Sequence, residues 1–394
     1  MGRSRSTLAG FGAVLSLILG SAGLGAVVNP GPAGAAVIVT VPASIPSNCS
    51  RDVSAQLIAW IASVPDGSTL SFTPNGCYRV DRKLTINYRN GLTFEGNGAT
   101  FRAFTSGREL SASEARTRSM FTFWRGSNLT VRDTKVIGAN PCAGVNDAAY
   151  VPALEAQTAY VIGGVRNMVL DHVAANDVYG DFVFVGAATQ GLIVRNSTFA
   201  RNGRQGWTIN GSDILFEHNT IDHTRRATID LEPSSKASIT QRVTIRDNTI
   251  GVGRLYFLAN EGLAAPTSDI SIIGNHFVGK AMTIRVNPPS GTRSRYRVIG
   301  NVSDTPVGFD GGGAFQFSDV VGIEIRDNVQ PMQRNRGISG LAIKNSRDVV
   351  VAGNRFQFGK AVVSRGGNSN VSQYGNLVGN PLWLAPPSTF LGPA

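Results

Sequence analysis

The feature that most constrains this chain is an asparagine that returns, again and again, at the end of a short run of alternating apolar residues. In Trp207-Thr208-Ile209-Asn210-Gly211-Ser212-Asp213-Ile214-Leu215-Phe216-Glu217-His218-Asn219-Thr220-Ile221, two strand-like runs flank the turn Gly211-Ser212-Asp213, and Asn219 marks a corner. Equivalent corners fall at Asn97, Thr134, His172, Asn196, Asn248, Asn275, Asn301, Asn328, Asn354 and Asn376. In the later part of the chain their spacing runs from 22 residues (354 to 376) to 29 (219 to 248). Asn tolerates left-handed backbone dihedrals, and its amide can bond to an identical amide one repeat away, so these corners are expected to stack as a ladder. A period in the twenties with two or three β-rich runs per unit is a solenoid signature, and no repeated Leu-x-x-Leu-x-Leu frame supports a leucine-rich alternative. The expected fold is all-β: a single-stranded parallel β-helix of about 11 coils, each about 4.8 Å above the last.

Composition agrees with many tight corners: charged residues are only 16%, and there are 46 Gly. Residues 1–35 have the layout of a secretory signal, with Arg3 and Arg5, an apolar run from Leu8 to Val28, and Ala33-Gly34-Ala35 before Ala36. The remainder, 36–394, is expected to be one β-helix domain, secreted and without a membrane anchor once the signal is removed. Removing the leader lowers Lys+Arg from 37 to 37 − 2 = 35 against 26 acids, a net charge of +9, which favours anionic partners. No aromatic-interleaved basic cluster points to nucleic acid. Cys49 and Cys77 bracket one segment and are expected to pair outside the cell, leaving Cys142 over, although three unpaired thiols are the alternative. Residues 52–64 carry helical apolar spacing and are expected to cap the first coil. Coils then run over about 68–376, with polar insertions at 102–120 and 139–155 and a C-terminal plug at 377–394.

The coil pattern over roughly residues 50–376 resembles the right-handed parallel β-helix, pectate-lyase-like superfamily, which includes pectate lyases, polygalacturonases, chondroitinase-B-like lyases and mannuronan epimerases. The segments Arg204-Gln205-Gly206 and Ile229-Asp230-Leu231-Glu232-Pro233 also resemble those of uncharacterised secreted bacterial β-helix proteins. The resemblance implies the fold and not the chemistry. The polygalacturonase pattern of Asn-Thr-Asp, Asp-Asp and Gly-His-Gly is absent, as is the Asp-Pro-His-Asp of the epimerases.

Candidate chemistry lies on one strand row, whose inward aliphatics read as Ile162, Val185, Ile209, Ile229, Ile284, Phe317 and Ile343. Their neighbours face outward and are mostly polar, among them Thr208, Asn210, Asp230, Glu232 and Arg285. Asp230 and Glu232 stand two apart, so their carboxyls are expected about 6–7 Å from each other, near the lower edge for an inverting glycosidase. Gln157, Asp181, Gln205 and Arg225 precede the inward residues by four or five positions and are expected to form one column, with Asp181 as a third acid. Tyr179, Arg204, His223, Arg225 and Arg285 would supply cations and hydrogen bonds to a sugar. The leading reading is a hydrolase of an anionic polysaccharide that needs no cofactor. A β-eliminating lyase is the second, and calcium enters only there; a non-catalytic glycan or cell-wall binder is the third.

Overall fold

The computed structural model describes residues 37–107, 110–233, 238–261, 265–288, 292–304, 315–330, 341–356, 363–364 and 366–378. The expected leader, and the expected plug beyond residue 378, lie outside these residues. What is described is a right-handed parallel β-helix of about 11 turns, in which all strand pairing is parallel and joins one turn to the next.

Each turn contributes to three ladders. In one turn Trp207–Glu217 supplies ladder A with Trp207 to Ile209 and ladder B with Ile214 to Glu217, and Thr220–Asp222 supplies ladder C. Ile229–Leu231 then begins the next turn in ladder A. Alternation along each strand sends aliphatic and aromatic side chains into one continuous interior. There the rings of Phe72, Phe101, Phe121 and Tyr160 follow one another at centroid distances of 5.0, 4.8 and 5.7 Å.

The corner between ladders B and C is where asparagine does its structural work. The Nδ2 of Asn219, Asn248, Asn275, Asn301, Asn328 and Asn354 each donates to the Oδ1 of the next asparagine at 2.9–3.0 Å, ending at Asn376. The same Oδ1 accepts the backbone N–H of the asparagine before it, as Asn301 does from Asn275 at 2.9 Å. The second Nδ2 hydrogen bonds a carbonyl, in Asn301 that of Ile272. Every polar group of the buried amide is thereby satisfied, which is the condition for placing it inside.

Two details differ from the sequence expectation. The left-handed residue is the one before the ladder: His218, Asp247, Gly274, Gly300, Asp327, Gly353 and Gly375 all have φ between 54° and 66°. Asn196 (φ 52°) and His172 (φ 53°) occupy that preceding position too, and Asn97 (φ 51°) lies two residues before Ala99, which is level with Thr134, so none of the three is a ladder member. Ser197 replaces Asn in the ladder at that turn, its N–H donating to Asn219 Oδ1 at 3.0 Å.

The N-terminal cap is the helix Ser54–Ser63, shorter than expected, with Leu57, Trp60 and Ile61 buried. Asp52 accepts from the Ser54 N–H at 3.0 Å and so takes up one of the orphan donors of the first turn. Cys49 and Cys77 form a disulfide between the first two turns of ladder C, and Cys142 is free and exposed. Both insertions enter at the corner from ladder C to ladder A. One carries the short helix Ala112–Arg116, and the other the 3-10 turns Asp147–Ala149 and Pro152–Leu154.

Asn301→Ala strands the backbone N–H and the Nδ2 of Asn275, each of which loses its acceptor. The expected cost is about 2–5 kcal/mol in denaturant unfolding. Asn196→Gly, at the left-handed position outside the ladder, is expected to cost under about 1 kcal/mol; equal losses in the two variants would contradict the ladder.

Candidate functional site

Ladder A brings together residues that are distant along the chain. Val183, Trp207 and Ile229 share one inward position in successive turns, and Phe184, Thr208 and Asp230 share the next, outward one. The expectation had Ile229 level with Ile209; the register instead pairs Ile209 with Leu231. A shift of two residues preserves the face, so Asp230 still points outward. It also breaks the expected four-membered column. Asp181 and Gln205 are level in neighbouring turns, whereas Gln157 falls one residue earlier and Arg225 two.

Arg204 is the hub of the site. Its Nη1 donates to Asp181 Oδ2 at 2.9 Å and to Oδ1 at 3.2 Å, and its Nη2 to Glu232 Oε2 at 3.3 Å. Its Nε lies 3.5 Å from Glu155 Oε2, without the alignment of a hydrogen bond. Burial pulls the Arg204 guanidinium down, but the charges of Asp181, Glu232 and Glu155 outweigh it and hold the group above its ordinary value. Gln205 links the two aspartates. Its backbone N–H donates to Asp181 Oδ1 at 2.9 Å, and its Nε2 to Asp230 Oδ2 at 2.6 Å. Its Oε1 accepts the Ala227 N–H at 2.8 Å, which fixes the amide orientation and turns Nε2 toward Asp230.

The three acids are set apart by their surroundings. Asp181 is 1% exposed and also accepts from Thr208 Oγ1 at 2.8 Å. Burial pushes its carboxyl up to about 6, against the pull of Arg204, Thr208 and the Gln205 N–H. Asp230 is half-buried and rises to about 7, first through burial and then through the charges of Glu232 and Asp181, with Arg204 and Arg226 opposing. The Glu232 side chain is 48% exposed. One carboxyl that is protonated near neutrality therefore stands two residues from an open one.

The second insertion forms a wall beside this cluster. Glu155 accepts from Tyr150 Oη at 2.7 Å, and Arg226 lies 5.3 Å over the Tyr150 ring. Asp147 takes Arg225 at 3.0 Å and also binds Arg254. A Cβ at Gly203 would meet the Tyr179 carbonyl at 2.4 Å and the Ala149 carbonyl at 2.5 Å, so glycine permits this close approach.

The other candidates are placed as follows. Gln157 is buried and anchors the first insertion, accepting from Arg118 at 2.8 Å and donating to the carbonyls of Ser106 and Ala115. Tyr179 packs with Ala115 and Leu154 in a small apolar cluster under the insertions. Asn210, expected on an open groove, is buried. His223 pairs with Asp222 at 2.7 Å at the corner after ladder C. Arg285 shares the outward row of Asp230 two turns on, paired with Glu261 at 2.5 Å and stacked 5.3 Å from the Tyr256 ring. Glu155 and Tyr150 were not singled out from the sequence, because nothing periodic marks where an insertion folds back.

Among the described residues no group of three or more His, Cys, Asp or Glu side chains gathers in a metal-holding arrangement. Around Asp181, Glu155 and Glu232 the space between carboxylates is taken by the Arg204 guanidinium, a poor fit to a calcium site. Among the described residues no helix is long and apolar enough to cross a membrane.

Residues 121–282 match the family model described as a right handed beta helix region. No curated protein matches the sequence. Among solved structures, endo-xylogalacturonan hydrolase from Aspergillus tubingensis is 13% identical, covering 88% of this chain and 93% of its own, with a TM-score of 0.54. The tailspike protein of E. coli bacteriophage HK620 in complex with pentasaccharide is 11% identical, covering 88% and 67%, with a TM-score of 0.56. The A-module of an Azotobacter vinelandii mannuronan C-5 epimerase is 15% identical, covering 85% and 97%, with a TM-score of 0.55. At such identities the likeness is one of fold.

The pH dependence of stability tests the Asp230 environment. Its carboxyl stands at about 7 when folded and at the ordinary 3.8 when unfolded, so between these values the folded state holds the extra proton. Stability should fall as pH rises through that window. Asp230→Asn keeps an acceptor for Gln205 and removes the charge, and is expected to flatten the fall most on the alkaline side of the Asp181 midpoint of about 6. An unchanged slope in denaturant midpoints would contradict the assignment.

Proposed function

We propose that this right-handed parallel β-helix is a secreted glycoside hydrolase that binds an anionic polysaccharide along ladder A and cleaves it beside Asp230 and Glu232. The observation that carries the reading is the pair itself: a carboxyl raised to about 7 two residues from an exposed one, on an outward strand face. Such divergence between neighbouring carboxyls suits a general acid and a general base. An i, i+2 spacing on a strand separates them by about 6–7 Å, enough for a water molecule in an inverting displacement.

In the proposed step protonated Asp230 gives its proton to the glycosidic oxygen as the bond to the anomeric carbon breaks. Glu232 takes a proton from the water that attacks that carbon from the opposite side. Solvent then returns a proton to Asp230 and removes one from Glu232, so nothing is consumed but water. Asp181 touches no solvent-facing surface and acts as a positioning residue, holding Arg204 and Gln205 against the pair. Arg226, stacked on Tyr150, and Arg285, paired with Glu261, offer guanidinium donors to uronate carboxylates, whereas the charge of Arg204 is taken up by Asp181, Glu155 and Glu232. Support for a glycan comes also from the similarity to a hydrolase of xylogalacturonan and to a tailspike solved with a pentasaccharide. The expected leader and the Cys49–Cys77 disulfide favour secretion.

Asp230→Asn and Glu232→Gln are each expected to lower kcat by at least about 10²-fold while the circular dichroism spectrum stays that of the wild type. Full activity in either variant would reject the pair. Activity should decline on an alkaline limb near pH 7, where Asp230 loses its proton. Products should carry new reducing ends one water heavier than the bond cleaved. Unsaturated uronate absorbance would instead identify a lyase, and glycan retention without product a binding protein.

A further inference from the structure

Trp124 is 46% exposed, whereas Trp60 and Trp207 are buried as large aromatic residues usually are. It occupies an outward position in the same ladder A that carries the acids. Its row can be followed turn by turn: Trp124 pairs with Gly163, Gly186 follows one residue after the Val185–Ile162 pair, and Asn210 and Glu232 follow after the Ile209 pairs.

Two consecutive turns in this row have no side chain. The indole fills the first gap: a Cβ on Gly163 would stand 2.4 Å from Trp124 Cζ3 and 2.5 Å from Cε3, so the six-membered ring rests against bare backbone. The second is closed over, since Gly186 is itself buried. The nearest atoms that a Cβ on Gly186 would meet are the Gly163 Cα at 3.4 Å, the Ile162 carbonyl oxygen at 3.5 Å and Phe184 Cε1 at 3.6 Å. Phe184, half-buried in the adjoining outward row, leans over Gly186 as the indole leans over Gly163, which leaves two rings on neighbouring turns of one apolar strip.

We propose that Trp124 and Phe184 form a stacking platform for a pyranose ring of the bound polysaccharide, several units from the bond cleaved at Asp230 and Glu232. This rests on the reading that a glycan lies along ladder A, and adds to it a direction and a minimum length. The C–H face of a pyranose is apolar and carries partial positive charge, which the negative face of an indole attracts, while the hydroxyls at its edge reach sideways to polar groups. Those are present beside the rings: Asn87 precedes Trp124 in its row, and Thr122 lies in the row of Phe184. Four ladder steps separate Trp124 from Glu232, about 19 Å at 4.8 Å each. Trp124, Phe184 and the acid pair lie on one outward side of ladder A, with the buried Thr208 and Asn210 between them, so one extended chain passing over that turn can occupy both. A short oligosaccharide held at the acids cannot.

The test is a titration of the full chain with size-graded oligogalacturonates and cello-oligosaccharides, followed by tryptophan fluorescence and calorimetry, in an Asp230→Asn background so that no substrate is lost. Long oligomers are expected to bind about tenfold or more weakly in Trp124→Ala, and nearly as before in Trp124→Phe. Gly163→Ala keeps the indole but drives it from its seat, and is expected to weaken the same oligomers. Discrimination should vanish for oligomers too short to span the two places. Equal affinity of Trp124→Ala at every length would overturn the platform, as would failure of every oligomer to bind. A fluorescence change that follows protein concentration without glycan would also overturn it, assigning the patch to a second copy of this chain. If Trp124→Ala loses binding while the native residues at 230 and 232 yield no product, the platform stands and the hydrolase reading falls. If product forms and Trp124→Ala binds as before, the reverse holds.

Discussion

Everything in this molecule depends on a hydrogen bond that runs along the axis of the solenoid and not around it. Backbone pairing would hold successive turns together, but it leaves the register free to slip by a pair of residues without changing which face is buried. The buried asparagine amides remove that freedom from Asn219 onward. Each is bonded to the turn above and the turn below, and no partner is satisfied if a turn is displaced. A repeat protein with only nearest-neighbour contacts gains a fixed vertical frame in this way.

The site exploits that frame. Asp181, Arg204, Gln205, Asp230 and Glu232 come from three successive turns, and the vertical step alone places them within reach of one another. Gln205 spans the gap with three hydrogen bonds, and Arg204 distributes one charge among Asp181, Glu155 and Glu232. The cluster is short of positive charge at Asp230, whose nearest donor is a neutral amide. Burial and two nearby acids therefore raise it. The same cluster that specifies the geometry thus leaves one carboxyl poised to exchange a proton near neutral pH.

The fold was legible because its period is written in residues that few other structures need. A buried amide has to find four partners, and an Asn every 22 to 29 residues finds three of them in its own copies and the fourth in a backbone carbonyl. The corner was misread by one position at Asn196 and His172 and by two at Asn97, since the left-handed slots accept Asn, Asp, His and Gly alike and so resemble the ladder slot in sequence. Asp230, Glu232, Arg204 and Gln205 were also legible, because strand alternation survives a two-residue error in alignment. Gln157 and Arg225 were misplaced, because the corner from ladder C to ladder A varies in length between turns. Glu155 and Tyr150 act from an insertion whose docking follows no period. Trp124 had a local signal that went unread: an aromatic residue at an outward position, one turn from Val161-Ile162-Gly163-Gly164, where a missing side chain makes room for it.

The most direct measurement is a carbon-13 NMR titration of the aspartate carboxyl carbons, with Asp230 assigned by its disappearance in Asp230→Asn. A convergent cluster predicts that this resonance titrates with a midpoint near 7. A midpoint at the ordinary 3.8 would mean that Asp230 faces water alone and that neither Gln205 nor the neighbouring acids meet it, and the proposed acid would be lost with them.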